Sequence, residues 1–223
     1  MLVHSFESMA AVDGDGIRYC VFLAGCPLRC VYCHNPDTQR GGGKRYTPEE
    51  IVLRARRYKV YFKNGGGVTF SGGEPLLQKE GIGYALDTSL AVPMSESVKN
   101  VILSSDLVIA DLKFANSEDM EKYTGGDLRL VTDNLRFIAE SGKRCWVRTV
   151  VVPGINDSVE KLLEYKALLY SIITPEKWEL LPFHTLGFDK YEALGLENPL
   201  KDTKPMDIER LHELEKAVKE INL

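Results

Sequence analysis

Short apolar runs alternate with longer amphipathic stretches along the chain. Six short runs have the length and composition of strands: Ile17–Ala24, Gly67–Phe70, Ile82–Leu86, Leu107–Leu112, Arg144–Val152 and Trp178–Leu181. Five longer stretches predict helices: Pro48–Lys63, Glu96–Leu103, Leu130–Ser141, Val159–Ile173 and Met206–Ile221. Strands that alternate with helices are typical of βαβ units on a parallel sheet. The pattern therefore predicts an α/β fold, an incomplete six-unit βα barrel that is partly TIM-like.

Most of the polar clusters lie at the ends of predicted strands. In chain order they are the segment Cys26–Cys33, the segment Ser71–Pro75, Asp87 with Thr88, Asp111–Lys113, Arg148 within the fifth strand, and His184. In βα folds, ligands bind at the carboxyl ends of the strands. We therefore expect these side chains to form one site.

Three cysteines, Cys26, Cys30 and Cys33, lie within eight residues. Three thiolates can hold three corners of a 4Fe–4S cluster, which leaves one iron open to a small molecule. A structural zinc site needs four ligands, and His34 is the available fourth. A disulfide framework is typical of small secreted chains with even cysteine counts, and this chain has five cysteines. Cluster binding is favoured, with zinc as the alternative.

The other candidates each have a structural alternative. Gly72-Gly73-Glu74 offers close backbone approach and a carboxylate for an ammonium group, or it is an ordinary strand-to-helix turn. Asp87 and Asp111 are equally compatible with helix caps and with ligands.

Three basic side chains are also open to two interpretations. Lys113 either reaches a carboxylate or ribose or is solvated. Arg148 interrupts an apolar strand, and a buried charge needs a partner. His184 is either a packed core histidine or a ligand contact.

Composition supports an ordinary globular protein of one domain, residues 1–223. Hydrophobic residues make up 44% of the 223 residues, and the net charge of −4 gives no basic footprint for nucleic acid. No apolar stretch approaches the roughly 20 residues that span a bilayer. The first residues lack the pattern of an export signal, so we expect a cytoplasmic location.

The loop Cys26-x-x-x-Cys30-x-x-Cys33, followed by Gly72-Gly73-Glu74, resembles radical S-adenosylmethionine (SAM) enzymes. The resemblance is closer to the glycyl-radical-enzyme activases. Further matching segments are His4–Ser8, Val12–Arg18, Tyr32–Asn35, Gly65–Thr69, Asp111–Lys113, Arg148 with Val151–Gly154, and Leu180–His184. No cysteine lies between Asn35 and Glu50, which favours the activases that hold a single cluster.

The resemblance implies a role for each matching residue. The cluster would be held by Cys26, Cys30 and Cys33, and its open iron would bind the methionine part of SAM. The residues implied to contact SAM are Tyr32, Cys33, His34, Gly72, Gly73, Glu74, Asp111, Leu112, Lys113, Arg148 and His184, with Glu74 and the two glycines receiving the amino group. A monovalent cation site is implied at Asp87, Thr88 and Asp111, and an approach to the partner's glycine loop at Asp13, Gly14 and Arg18.

The implied activity is the generation of a glycyl radical on a partner enzyme, such as pyruvate formate-lyase, in anaerobic metabolism. The electron would come from a flavodoxin- or ferredoxin-type donor, and the enzyme would be a monomer. Three alternatives stay open: a radical SAM enzyme with another substrate, a cluster-binding protein that is catalytically impaired, and a zinc-binding structural module.

The chain departs from the family pattern after Glu74. The segment from Pro75 to Gly81 leads almost at once into the predicted strand Ile82–Leu86, although parallel crossovers usually need a dozen or more residues. We expect a shortened second crossover helix after Gln78 or a poorly seated strand, with lower stability and activity than in longer relatives. Smaller departures are Ala10 and Ala11 in place of Gly-Thr, Asp15 in place of proline, and Leu90 in place of glycine.

Overall fold

The computed structural model describes residues 1–78 and 85–221. Within them, one eight-stranded sheet has the order β3-β1-β2-β4-β5-β6-β7-β8. The strands are β1 (Leu2–Ala10), β2 (Arg18–Leu23), β3 (Lys44–Arg45), β4 (Gly67–Gly72), β5 (Ala85–Thr88), β6 (Leu107–Asp111), β7 (Cys145–Val151) and β8 (Lys177–Pro182). Each pair of neighbouring strands from β2·β4 to β7·β8 is parallel, whereas β1 pairs antiparallel with β2 and with β3. The six predicted strands thus form the parallel part of an α/β sheet.

Helices follow most of the parallel strands. They are α1 (Pro36–Gln39), α2 (Pro48–Arg56), α3 (Glu96–Ser104), α4 (Ser117–Thr124), α5 (Leu128–Ser141), α6 (Val159–Ile172), α7 (Phe188–Ala193) and α8 (Ile208–Glu220). The predicted first long helix is shorter than expected. It ends at Arg56, because a 3-10 turn at Lys59–Tyr61 and a left-handed Asn64 (φ 55°) redirect the chain toward β4. Among residues 1–78 and 85–221, no helix is long and apolar enough to cross a membrane.

Helix α2 shows how local sequence sets an element boundary. Thr47 Oγ1 accepts a hydrogen bond from the Glu50 amide at 3.3 Å, and the Glu50 carboxylate accepts one from the Thr47 amide at 2.9 Å. This capping box satisfies two amide groups that the first helical turn cannot. The sequence prediction for this helix start is confirmed.

Alternation along the strands separates a packed face from a cavity face. On β6, Val108 and Ala110 join the main hydrophobic core under the helices, whereas Asp111 lies on the opposite face. On β2, Tyr19 and Val21 pack in a second core against α2. The inward positions at the carboxyl ends of the strands are therefore left for polar side chains.

The structure describes residues 73–78 of the crossover between β4 and β5, and these residues contain no α-helix. A single 3-10 turn, Pro75–Leu77, follows Glu74. The shortened helix expected after Gln78 and the predicted strand start at Ile82 lie outside the described residues. Strand β5 is nevertheless seated, with Ala85 opposite Thr69 on one side and Leu107 on the other. The expectation of a poorly seated strand is therefore wrong, because β5 pairs with neighbours on both sides.

Candidate functional site

A cavity of about 700 Å³ opens at the carboxyl ends of the parallel strands. It brings together predicted residues from distant parts of the sequence. Those that line it are Asp13, Gly14, Cys30, Tyr32, Cys33, His34, Gly72, Asp87, Asp111, Lys113, Arg148 and His184. Five other predicted residues do not line this cavity: Cys26, Gly73, Glu74, Thr88 and Leu112. Arg18 instead lines a second cavity, of about 410 Å³, at the amino ends of the strands.

The cysteine loop is fixed by backbone hydrogen bonds to two neighbouring segments. The amide of Gly25 donates to the carbonyl of Thr38 at 2.7 Å. The amides of Arg29 and Val31 donate to Thr124 and Tyr123 at the end of α4, at 2.7 and 3.0 Å. Main-chain bonds thus hold the loop on both sides, so the thiols are presented by a defined backbone.

Burial controls the protonation of the loop thiols. Desolvation raises the pKa of Cys26 to about 11 and that of Cys30 to about 12. Metal coordination requires the thiolate and therefore releases these protons. Iron binding at this loop would therefore release thiol protons and would not start from preformed thiolates.

The described side chains form no preassembled site for a single metal ion. In the described part of the chain, no group of three or more His, Cys, Asp or Glu side chains converges on one metal position. A zinc ion needs four donors at one point, whereas cluster cysteines bind different iron atoms of a larger group.

The Gly72-Gly73-Glu74 segment supports the cysteine loop through its backbone. The amide of Glu74 donates to the carbonyl of Gly25 at 2.7 Å, and that of Gly73 donates to Leu23 at 2.8 Å. A Cβ atom on Gly73 would overlap the Gly25 carbonyl, so this contact requires glycine. Gly72 has φ +102° and lines the cavity with bare backbone.

The Glu74 side chain is fully buried and already has partners. Its carboxylate accepts hydrogen bonds from Thr88 Oγ1 at 2.6 Å, the Ser89 amide at 2.9 Å and the Leu76 amide at 3.0 Å. Desolvation raises the pKa of Glu74, and the bonds from Ser89 and Thr88 oppose that shift. Here the carboxylate joins the loops after β4 and β5, and its implied contact with an amino group stays a prediction.

Acidic and basic side chains lie next to one another in the lining of the cavity. Ser71 Oγ donates to Asp87 at 2.7 Å, and Lys113 Nζ lies 3.0 Å from Asp111. Burial and then Asp111 raise the pKa of Asp87, while Arg148 opposes the shift. Burial alone would lower the pKa of Lys113, but Asp111 raises it overall, so this lysine is charged.

Arg148 contacts both the β1–β2 connection and β8. Its Nη2 donates to the Val12 carbonyl, and its Nε lies 3.5 Å from Glu179 without making a hydrogen bond. Residues 148 and 179 are opposite each other in the parallel register. Glu179 was not predicted, although an acidic residue in the strand next to Arg148 was the available signal.

His34 and His184 close one side of the cavity. Burial and then the neighbouring His184 lower the pKa of His34 to about 4, and burial also lowers the pKa of His184. Both rings are therefore neutral at pH 7. Tyr191, another residue that was not predicted, donates from its hydroxyl to the Cys33 carbonyl at 3.1 Å.

Two unpartnered polar atoms belong to residues that line this cavity. Among the described side chains, the buried polar atoms without a hydrogen-bond partner are Tyr32 Oη, Asn134 Oδ1 and Arg148 Nε. Leaving such a group unpaired costs about 1–3 kcal/mol.

Comparison with known proteins agrees with this geometry. Residues 20–165 match the Radical SAM superfamily. The chain is 43% identical over 233 residues to the pyruvate formate-lyase-activating enzyme of Clostridium pasteurianum, covering 98% of this chain and 97% of the relative. It is 37% identical over 231 residues to the enzyme of the same name from Staphylococcus epidermidis, covering 95% of this chain and 92% of the relative.

Solved structures give the same fold. A domain of pyruvate-formate lyase-activating enzyme from Bacteroides vulgatus superposes with a TM-score of 0.55 at 26% identity, covering 70% of this chain and 94% of that one. A radical SAM methyltransferase from Sphaerobacter thermophilus superposes with a TM-score of 0.61 at 17% identity, covering 91% and 63%.

Proposed function

Because the chain belongs to the radical SAM superfamily and, within it, to the pyruvate formate-lyase-activating enzymes, we propose that it generates a glycyl radical on pyruvate formate-lyase with a 4Fe–4S cluster and SAM. The observation that carries the proposal is the cavity itself. It joins two of the three loop cysteines to Tyr32, Asp111 and Arg148 at the carboxyl ends of the strands.

The residues present fit a cluster and a polar cofactor beside it. The fixed loop would hold the cluster through Cys26, Cys30 and Cys33. Tyr32 Oη and Arg148 Nε, which have no hydrogen-bond partner among the described residues, belong to residues that line a cavity of about 700 Å³, within the range of cofactor sites. When bound, the cluster and SAM supply the one-electron chemistry that glycyl radical formation needs.

The chain's own side chains would bind and orient the cofactor and limit the access of water. Lys113 is charged and only 14% exposed, which suits it to a carboxylate. Neutral His34 and His184 would form a wall that adds no positive charge beside a sulfonium. Asp13 and Gly14 line the cavity from the β1–β2 connection, where the partner's glycine loop would enter.

Further elements of the proposal concern partners and ions. The electron donor would be a flavodoxin- or ferredoxin-type protein. A monovalent cation would contact Asp87 and Asp111, whereas the Thr88 hydroxyl is engaged with Glu74.

Anaerobic reconstitution tests this function. The protein should bind a 4Fe–4S cluster, cleave SAM to 5′-deoxyadenosine under reduction, and produce a glycyl radical detected by electron paramagnetic resonance on pyruvate formate-lyase. Cys30→Ser should lose all three properties. Cys145→Ser, which changes a buried cysteine on β7, is the matched control and should retain them.

The other outcomes identify the alternatives. SAM cleavage without a radical on pyruvate formate-lyase indicates another substrate. A cluster without SAM cleavage indicates a catalytically impaired protein, and a colourless protein with stoichiometric zinc indicates a structural module.

A further inference from the structure

The turn that carries Asp13 and Gly14 accepts hydrogen bonds from the side chains of two residues that do not line the main cavity, Arg18 and Thr69. Arg18, the first residue of β2, is only 6% exposed. Its Nη1 donates to the carbonyls of Gly65 at 2.9 Å and Asp15 at 3.3 Å, and its Nη2 donates to Val68 at 2.6 Å. With these donors engaged by the chain itself, Arg18 is placed to shape the turn rather than to contact a partner.

Thr69 links Arg18 directly to the turn. Arg18 Nε donates to Thr69 Oγ1 at 2.9 Å, and Thr69 Oγ1 donates in turn to the Asp13 carbonyl at 2.7 Å. Thr69 is fully buried in the middle of β4. Its hydroxyl is therefore both an acceptor and a donor, and the Asp13 backbone sits at the end of this two-bond chain.

The turn also packs closely against the backbone that leads into β4. A Cβ atom on Gly16 would lie 2.6 Å from both the Gly66 amide nitrogen and the Lys63 carbonyl oxygen. A Cβ atom on Gly67 would lie 3.4 Å from Arg18 Nη1. That contact from Gly67 would be close to ordinary, whereas a Cβ atom on Gly66 would lie 2.4 Å from the Ile17 carbonyl oxygen. Glycine is thus needed at positions 16 and 66, where the turn meets the start of β4.

We propose that Thr69, itself held by Arg18, is a positioning residue that sets the place of Asp13 and Gly14 at the cavity. It thereby controls transfer of the radical to the partner's glycine and not the cleavage of SAM. This inference rests on the proposed function. It assigns a task to the Gly65–Thr69 segment, whose residues do not line the main cavity.

The test compares Thr69→Val with Thr69→Ser, which keeps the hydroxyl. Thr132→Val is the matched control, because Thr132 is a buried threonine on α5 whose hydroxyl donates to the Arg129 carbonyl of its own helix. Three quantities are measured: amide hydrogen exchange of residues 11–17 in the unloaded protein, 5′-deoxyadenosine formed without a partner, and glycyl radicals formed on pyruvate formate-lyase per 5′-deoxyadenosine.

Thr69→Val should speed exchange of the turn, because both hydrogen bonds of the Thr69 hydroxyl are lost. It should lower the radical yield per 5′-deoxyadenosine about tenfold, which corresponds to about 1.4 kcal/mol. SAM cleavage without a partner should stay within about twofold of wild type, well short of that tenfold loss. Thr69→Ser should restore the yield, and Thr132→Val should change none of the three. If Thr69→Val does not fold, Arg18→Lys should give the same pattern, because an ammonium cannot span Thr69, Gly65 and Val68 together.

Unchanged turn exchange in folded Thr69→Val overturns the inference, as does an equal loss of SAM cleavage and radical transfer. Failure of the proposed function is seen separately, as a wild-type protein that forms no glycyl radical. In that case the exchange measurement alone decides whether Thr69 positions the turn.

Discussion

The imidazole rings of His34 and His184 stack with their centroids 3.7 Å apart and their planes 15° apart. His34 follows the last cysteine of the loop, and His184 follows β8. A Cβ atom on Gly187 would come within 2.9 Å of the His34 backbone, so the chain after β8 also packs on the cysteine loop. The stack therefore joins the first and last parallel strands across the opening of the sheet.

The stack predicts an acid sensitivity. The pKa of His34 is about 4 in the folded protein, against roughly 6.5 for an unperturbed histidine. Between these values the unfolded chain binds more protons, so His34 lowers the unfolding free energy as the pH falls from about 6.5 to about 4. Urea unfolding across this range should show a shallower decline for His34→Gln. The control His212→Gln, at an exposed position on α8, should follow wild type, and equal slopes for both variants would refute the prediction.

Glu74 predicts a structural cost that is separate from catalysis. Replacing it with glutamine removes one acceptor oxygen from a buried group that Thr88 and Ser89 contact. We expect Glu74→Gln to lower the unfolding free energy by about 1–3 kcal/mol, the cost of an unsatisfied buried group. The exposed Glu121→Gln on α4 serves as control in the same urea titration. A Glu74→Gln protein as stable as wild type would show that the carboxylate does not join the two loops.

Leu90 combines strain with burial. It has φ 58°, a left-handed conformation that costs a non-glycine residue about 1–2 kcal/mol, yet its side chain is fully buried in the main core. Losing such a side chain costs about 2–5 kcal/mol. Stability should therefore decrease in the order wild type, Leu90→Gly, Leu90→Ala, because alanine keeps the strain without the packing. If calorimetry finds Leu90→Gly more stable than wild type, strain outweighs packing at this position.

Gly73 predicts a link between the Gly-Gly-Glu segment and iron retention. A Cβ atom there would overlap the Gly25 carbonyl, next to Cys26, and would displace the cysteine loop. Gly73→Ala should bind less iron after reconstitution, as measured by iron content per chain. Gly195→Ala strains a left-handed position (φ +61°) but places its Cβ atom within 4 Å of no neighbour, so it should bind iron as wild type does. Equal iron content in the two variants would show that this contact is dispensable.

The parallel sheet and the cavity residues were predictable because their signals are local. The apolar runs of β6 and β7 and the charge of Arg148 inside its strand can be seen in a few consecutive residues. Strand β1 was missed because bulges between Val3 and Ser5 and between Ser8 and Ala10 interrupt its alternation. The polar helix α4 was missed because only Met120 and Thr124 are buried on it.

The positions of Glu74 and Arg18 could not be predicted from local sequence. Each is fixed by partners brought close only by strand pairing, namely Thr88 and Ser89 for Glu74, and Gly65 and Thr69 for Arg18. A motif match supplies the residue type at such positions but not the direction of its side chain.

The most direct test of the proposed function follows a hydrogen atom. Pyruvate formate-lyase labelled with deuterium at the glycine α-carbon is mixed, without oxygen, with the reconstituted protein, SAM and a reductant. If the protein forms the glycyl radical, the 5′-deoxyadenosine produced contains deuterium, and its amount matches the radical seen by electron paramagnetic resonance. Formation of 5′-deoxyadenosine that contains no deuterium, with no radical on the partner, would contradict the account.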